Sequence, residues 1–359
     1  MNSRRLVNNE LSYEINVLRG LACLLIVGVH VSANDFNSEL AQFGSPVAFL
    51  MNQFGRVGTP IFAFLSAMLL FGSLKKHKEL DVKRFFSTRM TKIVIPYLFC
   101  SVFYVVFSYV YLGILAPESV IAWLETFFLG EAFYHLYFIS TILQFYLLFP
   151  LLAIIKRRTV FLGLTALSFI VTLSFSLHLP QPFLVRMGLV GEVMAKGSFI
   201  LHWWFFFMAG GLFSLCYPTL HCWGQRYSSY LFVMLLITLV SLGVSLDPST
   251  LYPSRRAANV ILVPILCVVV LLLATSIKGK RLSSCKLWAP IHRLGSYSMG
   301  VYFLHPAVIV IIAFYTPVAW SGVNLVWLTV GVTLACCAVV VVFNKVVPHG
   351  QYVLPVAGR

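Results

Sequence analysis

Apolar side chains occupy almost every position of ten long stretches, at roughly 15–34, 56–73, 92–113, 134–154, 159–178, 198–217, 228–246, 257–277, 297–315 and 321–344. A half-buried strand would show apolar residues at every second position, and a soluble surface helix would confine them to one face. Neither pattern fits. Each stretch is long enough to cross ~30 Å of hydrocarbon as a helix. Lipid satisfies no backbone polar group, so a spanning chain must be helical or a closed barrel. Continuous runs select helices. The predicted fold class is all-α, a polytopic membrane helix bundle with about ten transmembrane helices and a single domain over 1–359.

The segments between spans add detail. Residues 80–91 read as a helix along the inner leaflet with Lys and Arg in the headgroups. Residues 114–133 are too short and too acidic to cross, and Trp123, Phe127 and Phe128 place them as a helix dipping into the outer interface. Residues 179–197, with two prolines, Arg186 and Glu192, would line an entrance. No internal repeat or low-complexity tract stands out.

Composition agrees with this pattern: 60% of the 359 residues are hydrophobic and only 10% are charged. The formal net charge of +15 would imply nucleic acid if it formed one soluble patch. Its distribution argues against that partner. With the N-terminus cytoplasmic, inside segments hold 20 of the 26 Lys and Arg, whereas outside segments hold five (Arg56, Arg186, Lys196, Arg255 and Arg256). The positive-inside rule then places both termini in the cytoplasm, with membrane lipids as partners of the basic face. The eight cysteines form no CxxC or metal-like cluster, so no metal is expected. The first apolar stretch reads as a retained span, because it carries Arg19 and His30 and no small-residue cleavage site follows.

Ionisable groups within spans are costly, by ~2.5–3.5 kcal/mol for Arg, Lys or Asp at a helix centre on insertion scales, and commonly mark a site. Arg19 and His30 stand eleven residues apart, about three full turns, so they share one face ~16 Å apart. Asn16, Cys23 and Val27 continue that face. Taken singly, Arg19 reads equally as a snorkelling anchor and His30 as a histidine satisfied by a neighbouring helix. His135 opens the fourth span, about 180° around the helix from Gln144. His305 lies in the ninth span before Pro306, which frees a backbone carbonyl that needs another partner. Ser66 suits a tight helix contact. Arg89 and Lys92, three apart at the inner end of the third span, suit a phosphate-rich ligand as readily as lipid headgroups.

Five stretches in order (LRGLACLLIVGVH, VGTPIFAFLSAMLL, RMTKIVIPY, HLYFISTILQFYLLFPLL and LGSYSMGVYFLHP) resemble motifs of the acyltransferase-3 family of bacterial membrane acyltransferases. The resemblance covers roughly 13–345 and is greatest to the branch of the enterobacterial-common-antigen O-acetyltransferase and the intercellular-adhesin modification protein. One departure is Ser66-Ala67, where the family has Ser-Gly. The resemblance implies an enzyme of the bacterial inner membrane that moves an acyl group, usually acetyl from acetyl-CoA, onto a glycan hydroxyl, alongside polysaccharide-synthesis proteins. That chemistry needs a base near neutral pH, oxyanion donors and cations for phosphates. His30 suits the base or a covalent acyl carrier. Tyr302 and Ser66 suit oxyanion or orienting donors. Arg19, Arg89 and Lys92 suit the nucleotide end of CoA, and His135 and His305 suit substrate binding. A transporter or flippase for a lipid-linked glycan is the competing class. It is disfavoured because none of the 11 Asp and Glu lies at a clear helix centre, where ion coupling would want one. A receptor or scaffold gains little, since no sensory domain is evident.

Overall fold

The computed structural model describes residues 2–37, 42–77, 79–248, 250–276 and 288–356. Four basic residues expected between the eighth and ninth spans (Lys278, Lys280, Arg281 and Lys286) and Cys285 lie outside the described residues, as do Lys78 and Arg359.

Helices dominate, in the order α1 (Asn2–Ser32), α2 (Pro46–Gly55), α3 (Gly58–His77), α4 (Val82–Arg89), α5 (Ile95–Leu112), α6 (Val120–Leu124), α7 (Tyr137–Ala153), α8 (Arg158–Ser176), α9 (Gln181–Arg186), α10 (Leu189–Ala195), α11 (Trp204–Arg226), α12 (Ser228–Val244), α13 (Ala257–Ser276), α14 (Ala289–Tyr315) and α15 (Asn324–Val346). Among the described residues the sole sheet is a two-residue antiparallel pairing of Phe36–Asn37 with Gln42–Phe43. Eight helical stretches are long and apolar enough to cross a membrane, and the shorter apolar α7 and α12 coincide with the remaining two predicted spans. Leu147, Leu151, Val240 and Val342 are among many large apolar side chains left on the outside of the bundle, the surface expected of helices that face lipid.

Two elements differ from expectation. Residues 82–89 do form a helix, but it is not separate from the third span: a π-turn at Met90–Val94 joins α4 to α5. Pro96 lacks an N–H, so the carbonyl of Lys92 loses its usual helical donor. The turn widens there, and the Ile95 N–H reaches back five residues to the Met90 carbonyl. The other is α2, ten residues in a segment read as an outside connection. Ser45 caps it, accepting from the Ala48 N–H (3.2 Å) while donating to Asp35 (2.7 Å).

The bundle is drawn together where glycines permit backbone contact. A Cβ at Gly20 would sit 2.1 Å from the Ile291 carbonyl, and one at Gly295 would sit 1.9 Å from the Asn16 carbonyl. Only glycine admits such an approach, so α1 and α14 cross there in the small-residue manner of membrane helices. A similar crossing joins α11 to α3, with Gly210 against the Phe64 carbonyl.

Candidate active site

The α1–α14 crossing places the polar face of α1 against α14. Arg19 donates to the Ser298 hydroxyl (3.2 Å), Ser298 in turn donates to the Gly295 carbonyl (2.8 Å), and the Cys23 thiol lies 3.9 Å from the Ser298 carbonyl. Lower on the same face, Asn16 contacts His292 (3.4 Å).

Beside this crossing opens a cavity of about 260 Å³. Arg19 lines it from α1, Ser66 from α3, Arg89 from α4, Lys92 from the π-turn, Tyr146 from α7, and Ser298 and Tyr302 from α14. Five sequence candidates on four separate helical segments therefore share one space. The rest of the wall is largely apolar, with Phe62, Leu65 and Phe138 among the lining residues. The Arg89 guanidinium lies over both Phe85 and Tyr146, 5.1 Å from each ring centre. Aromatic faces on a guanidinium fix its plane without consuming its donors. The Nε of Arg89 is buried and has no hydrogen-bond partner among the described residues, which leaves a costly donor for an acceptor to satisfy. Ser66, by contrast, donates to the Phe62 carbonyl one turn back (2.7 Å).

Next to the cavity three histidines converge. The His30 and His305 ring centres are 5.1 Å apart, and those of His135 and His305 are 5.4 Å apart. His135 and His305 are fully buried, whereas His30 is half-buried and stacks obliquely on Tyr134 (4.9 Å). His305 Nδ1 pairs with the Val301 carbonyl (3.1 Å). Its Nε2, and both ring nitrogens of His135, have no partner among the described residues. Buried polar atoms in native structures nearly always find partners, so three orphaned imidazole nitrogens in one place call for a role.

His30 does not line the cavity. The residue common to both parts is Tyr302, whose ring borders the cavity and lies 5.3 Å from His135 and 5.9 Å from His305. Its hydroxyl donates to the His135 carbonyl, fixing the turn that carries this histidine. Pro306 frees the carbonyl of Tyr302, four residues back, and Tyr104 bridges the next rung of the helix. Its hydroxyl enters the widened turn of α14, donating to the Phe303 carbonyl (2.6 Å) and accepting from the Ala307 N–H (3.3 Å). His305 is thereby held at a propped kink. Gln144 points elsewhere, to Ser198 and Ile200. Tyr146 and Ser298 were not among the sequence candidates, although Ser298, Tyr302 and His305 follow the i, i+4, i+7 spacing of one helix face.

Among the described residues, no group of His, Cys, Asp or Glu is arranged to hold a metal ion. A family model described as an acyltransferase domain matches residues 12–345. A relative from Staphylococcus aureus (strain MRSA252), named as a probable poly-beta-1,6-N-acetyl-D-glucosamine export protein, is 24% identical over 315 residues, covering 86% of this chain and 85% of the relative. No solved structure matches.

Proposed function

Because this chain belongs to the acyltransferase-3 family and is an acyltransferase, we propose that it moves an acyl group, acetyl in the first instance, from acyl-CoA onto a hydroxyl of a cell-surface or lipid-linked glycan. The observation that carries this reading is the joining, through Tyr302, of a cavity bearing Arg19, Arg89 and Lys92 to the cluster of His30, His135 and His305.

The donor's fit rests on chemistry. Two guanidiniums and an ammonium in one cavity suit the phosphates of a nucleotide, guanidinium as a fork and ammonium as a point charge. At about 260 Å³ the space falls just below the ~300–1,000 Å³ of typical small-molecule sites. It suits the narrow arm of the donor better than the whole molecule. The donor supplies the acyl group already activated as a thioester. The chain's own residues then have four tasks. Arg19, Arg89 and Lys92 hold the phosphates, and the apolar wall of Phe62, Leu65 and Phe138 keeps water from the thioester. His30 takes the proton of the acceptor hydroxyl as that oxygen bonds to the thioester carbonyl carbon, and the imidazolium returns the proton to the CoA sulfur as the carbon–sulfur bond breaks, so that ester and free thiol leave. Tyr302 positions His135, whose ring meets His305, the neighbour of His30.

A multi-pass protein with this chemistry belongs in the bacterial inner membrane, where cytosolic acyl-CoA meets glycans under assembly and where polysaccharide-synthesis proteins would be its partners. The name of the staphylococcal relative favours a second reading, export of a polysaccharide. A deletion strain separates the two. Acyl transfer predicts a surface glycan still present but lighter by its acyl groups. Export predicts loss of the glycan with no change in the mass of what remains.

A further inference from the structure

A second cavity, of about 380 Å³, lies near the histidines in a part of the molecule that the proposed donor chemistry does not use. Arg56, Tyr137, Lys196 and Arg255 line it, together with Glu131 and the backbone around Gly197. Arg56, Glu131, Lys196 and Arg255 belong to segments assigned to the outside, Tyr137 lies at the outer end of the fourth span, and the cavity's size falls within the range of small-molecule sites.

Their pairing is uneven. Lys196 is held by Glu125 (2.9 Å) and Glu131 (2.7 Å), and these are the only ion pairs among the described residues. Arg256 is engaged by the fold through all three nitrogens: it donates to Asn259 (3.1 Å) and to the carbonyls of Ser245 (3.0 Å) and Leu242 (3.4 Å), and it stacks on Tyr252. Its neighbour Arg255 is different. Among the described residues its guanidinium has no hydrogen bond or carboxylate partner. It rests on the bare backbone of Gly197, where a Cβ would come within 2.6 Å of a guanidinium nitrogen. Arg56 spends its Nε on Asn52 (3.1 Å) and likewise has no carboxylate. Two half-buried guanidiniums thus face one cavity uncompensated, and desolvated cations without counter-ions are costly unless a ligand supplies the charge.

Asn52 also donates to the Val29 carbonyl (2.9 Å), the residue before His30. A group held by Arg56 is therefore tied, through one asparagine, to the turn of α1 that bears the proposed base. Tyr137 lies two residues after His135. The cavity therefore adjoins the chain segments that carry His30 and His135.

We propose that this outer cavity recognises an anionic group, carboxylate or phosphate, on a sugar, with Arg56 and Arg255 as its counter-ions. Lys196 and Glu131 offer further hydrogen bonds to sugar hydroxyls. The identification of that sugar as the acceptor rests on the acyl-transfer reading; the binding itself does not.

The test uses the full chain in phosphatidylcholine nanodiscs, titrated with glucuronate, glucose 1-phosphate, glucose and orthophosphate. At least one charged sugar should bind about ten-fold more tightly than glucose and than orthophosphate, the order expected of one charge-assisted contact. The double variant Arg56→Gln/Arg255→Gln should lose that preference, and Arg56→Lys/Arg255→Lys should keep much of it. Acyl-CoA binding, measured on the same samples, reports that the variants are folded and should not change. Glucose binding as tightly as both charged sugars overturns the proposal. So does orthophosphate matching them, or a Gln variant that retains the preference. Failure of acyl-CoA binding with charged-sugar binding intact would instead remove the acyl-transfer reading and leave this site standing.

Discussion

Replacing Gly295 by Ala adds one carbon atom at the tightest point of the α1–α14 crossing. That atom would fall 1.9 Å from the Asn16 carbonyl, so the two backbones must separate by about 1.5 Å to reach the 3.4 Å of ordinary contact. The Arg19–Ser298 hydrogen bond starts at 3.2 Å. A rigid shift of that size would stretch it well past the ~3.2 Å upper range of a good N–H···O bond. Overpacking of this kind costs about 1–3 kcal/mol, and a lost hydrogen bond to a charged group about 1.5–3 kcal/mol more. The consequence for activity should exceed that for stability, since a displacement of ~1 Å at a reacting site can cost ~100-fold in rate. Acyl transfer by Gly295→Ala in proteoliposomes should therefore fall by about two orders of magnitude, with a melting temperature in detergent several degrees lower. Gly331→Ala is the control, because nothing lies within 4 Å of a Cβ there. It should be neutral or stabilising by up to ~1 kcal/mol, as expected when a helical glycine becomes alanine. If Gly295→Ala behaved like Gly331→Ala in both assays, the crossing that seats Arg19 would be wrong.

Other substitutions separate the parts of the site. His30→Gln should abolish transfer while acyl-CoA still binds with unchanged affinity; activity above background would exclude the imidazole as base. Arg89→Gln with Lys92→Gln should weaken acyl-CoA binding at least ten-fold, and Arg89→Lys should restore only part of it, because an ammonium lacks the fork and packs poorly between Phe85 and Tyr146. Tyr302→Phe should lower turnover by about ten-fold, from a lost hydrogen bond of ~1–1.5 kcal/mol, with the acyl-CoA KM little changed. A rise in KM alone would make Tyr302 a wall of the donor cavity and nothing more. Tyr104→Phe strips the propped kink of its hydroxyl, leaving the Phe303 carbonyl and Ala307 N–H short of a partner. It should lower the melting temperature measurably and reduce activity through His305.

The bundle was legible because burial in lipid writes itself into single runs of residues. All ten predicted spans have helical counterparts, and α2 went unseen because ten residues carrying Asn52 and Gln53 look like a loop. The face shared by Arg19, Cys23 and Asn16 was legible from helical spacing, and the side chains do turn together onto α14. What spacing within one helix cannot encode is which residues of different helices meet. His30, His135 and His305 come from three places in the chain, and nothing local announces that their rings converge. Likewise, the π-turn that carries Lys92 into the cavity depends on the carbonyl orphaned by Pro96. Arg255 and Arg256 are adjacent and chemically identical in the sequence, and only the fold distinguishes the one it consumes from the one it leaves facing a cavity.

On the proposed mechanism, the cationic cavity and the histidine cluster act together on an acyl group. The direct measurement is mass spectrometry of a purified bacterial surface polysaccharide after incubation with deuterium-labelled acetyl-CoA and the protein in liposomes. Wild-type protein should add the labelled acetyl to glycan hydroxyls, and His30→Gln and Arg19→Gln should add none above background. An unlabelled glycan with the wild type, or equal labelling by all three proteins, would contradict the account.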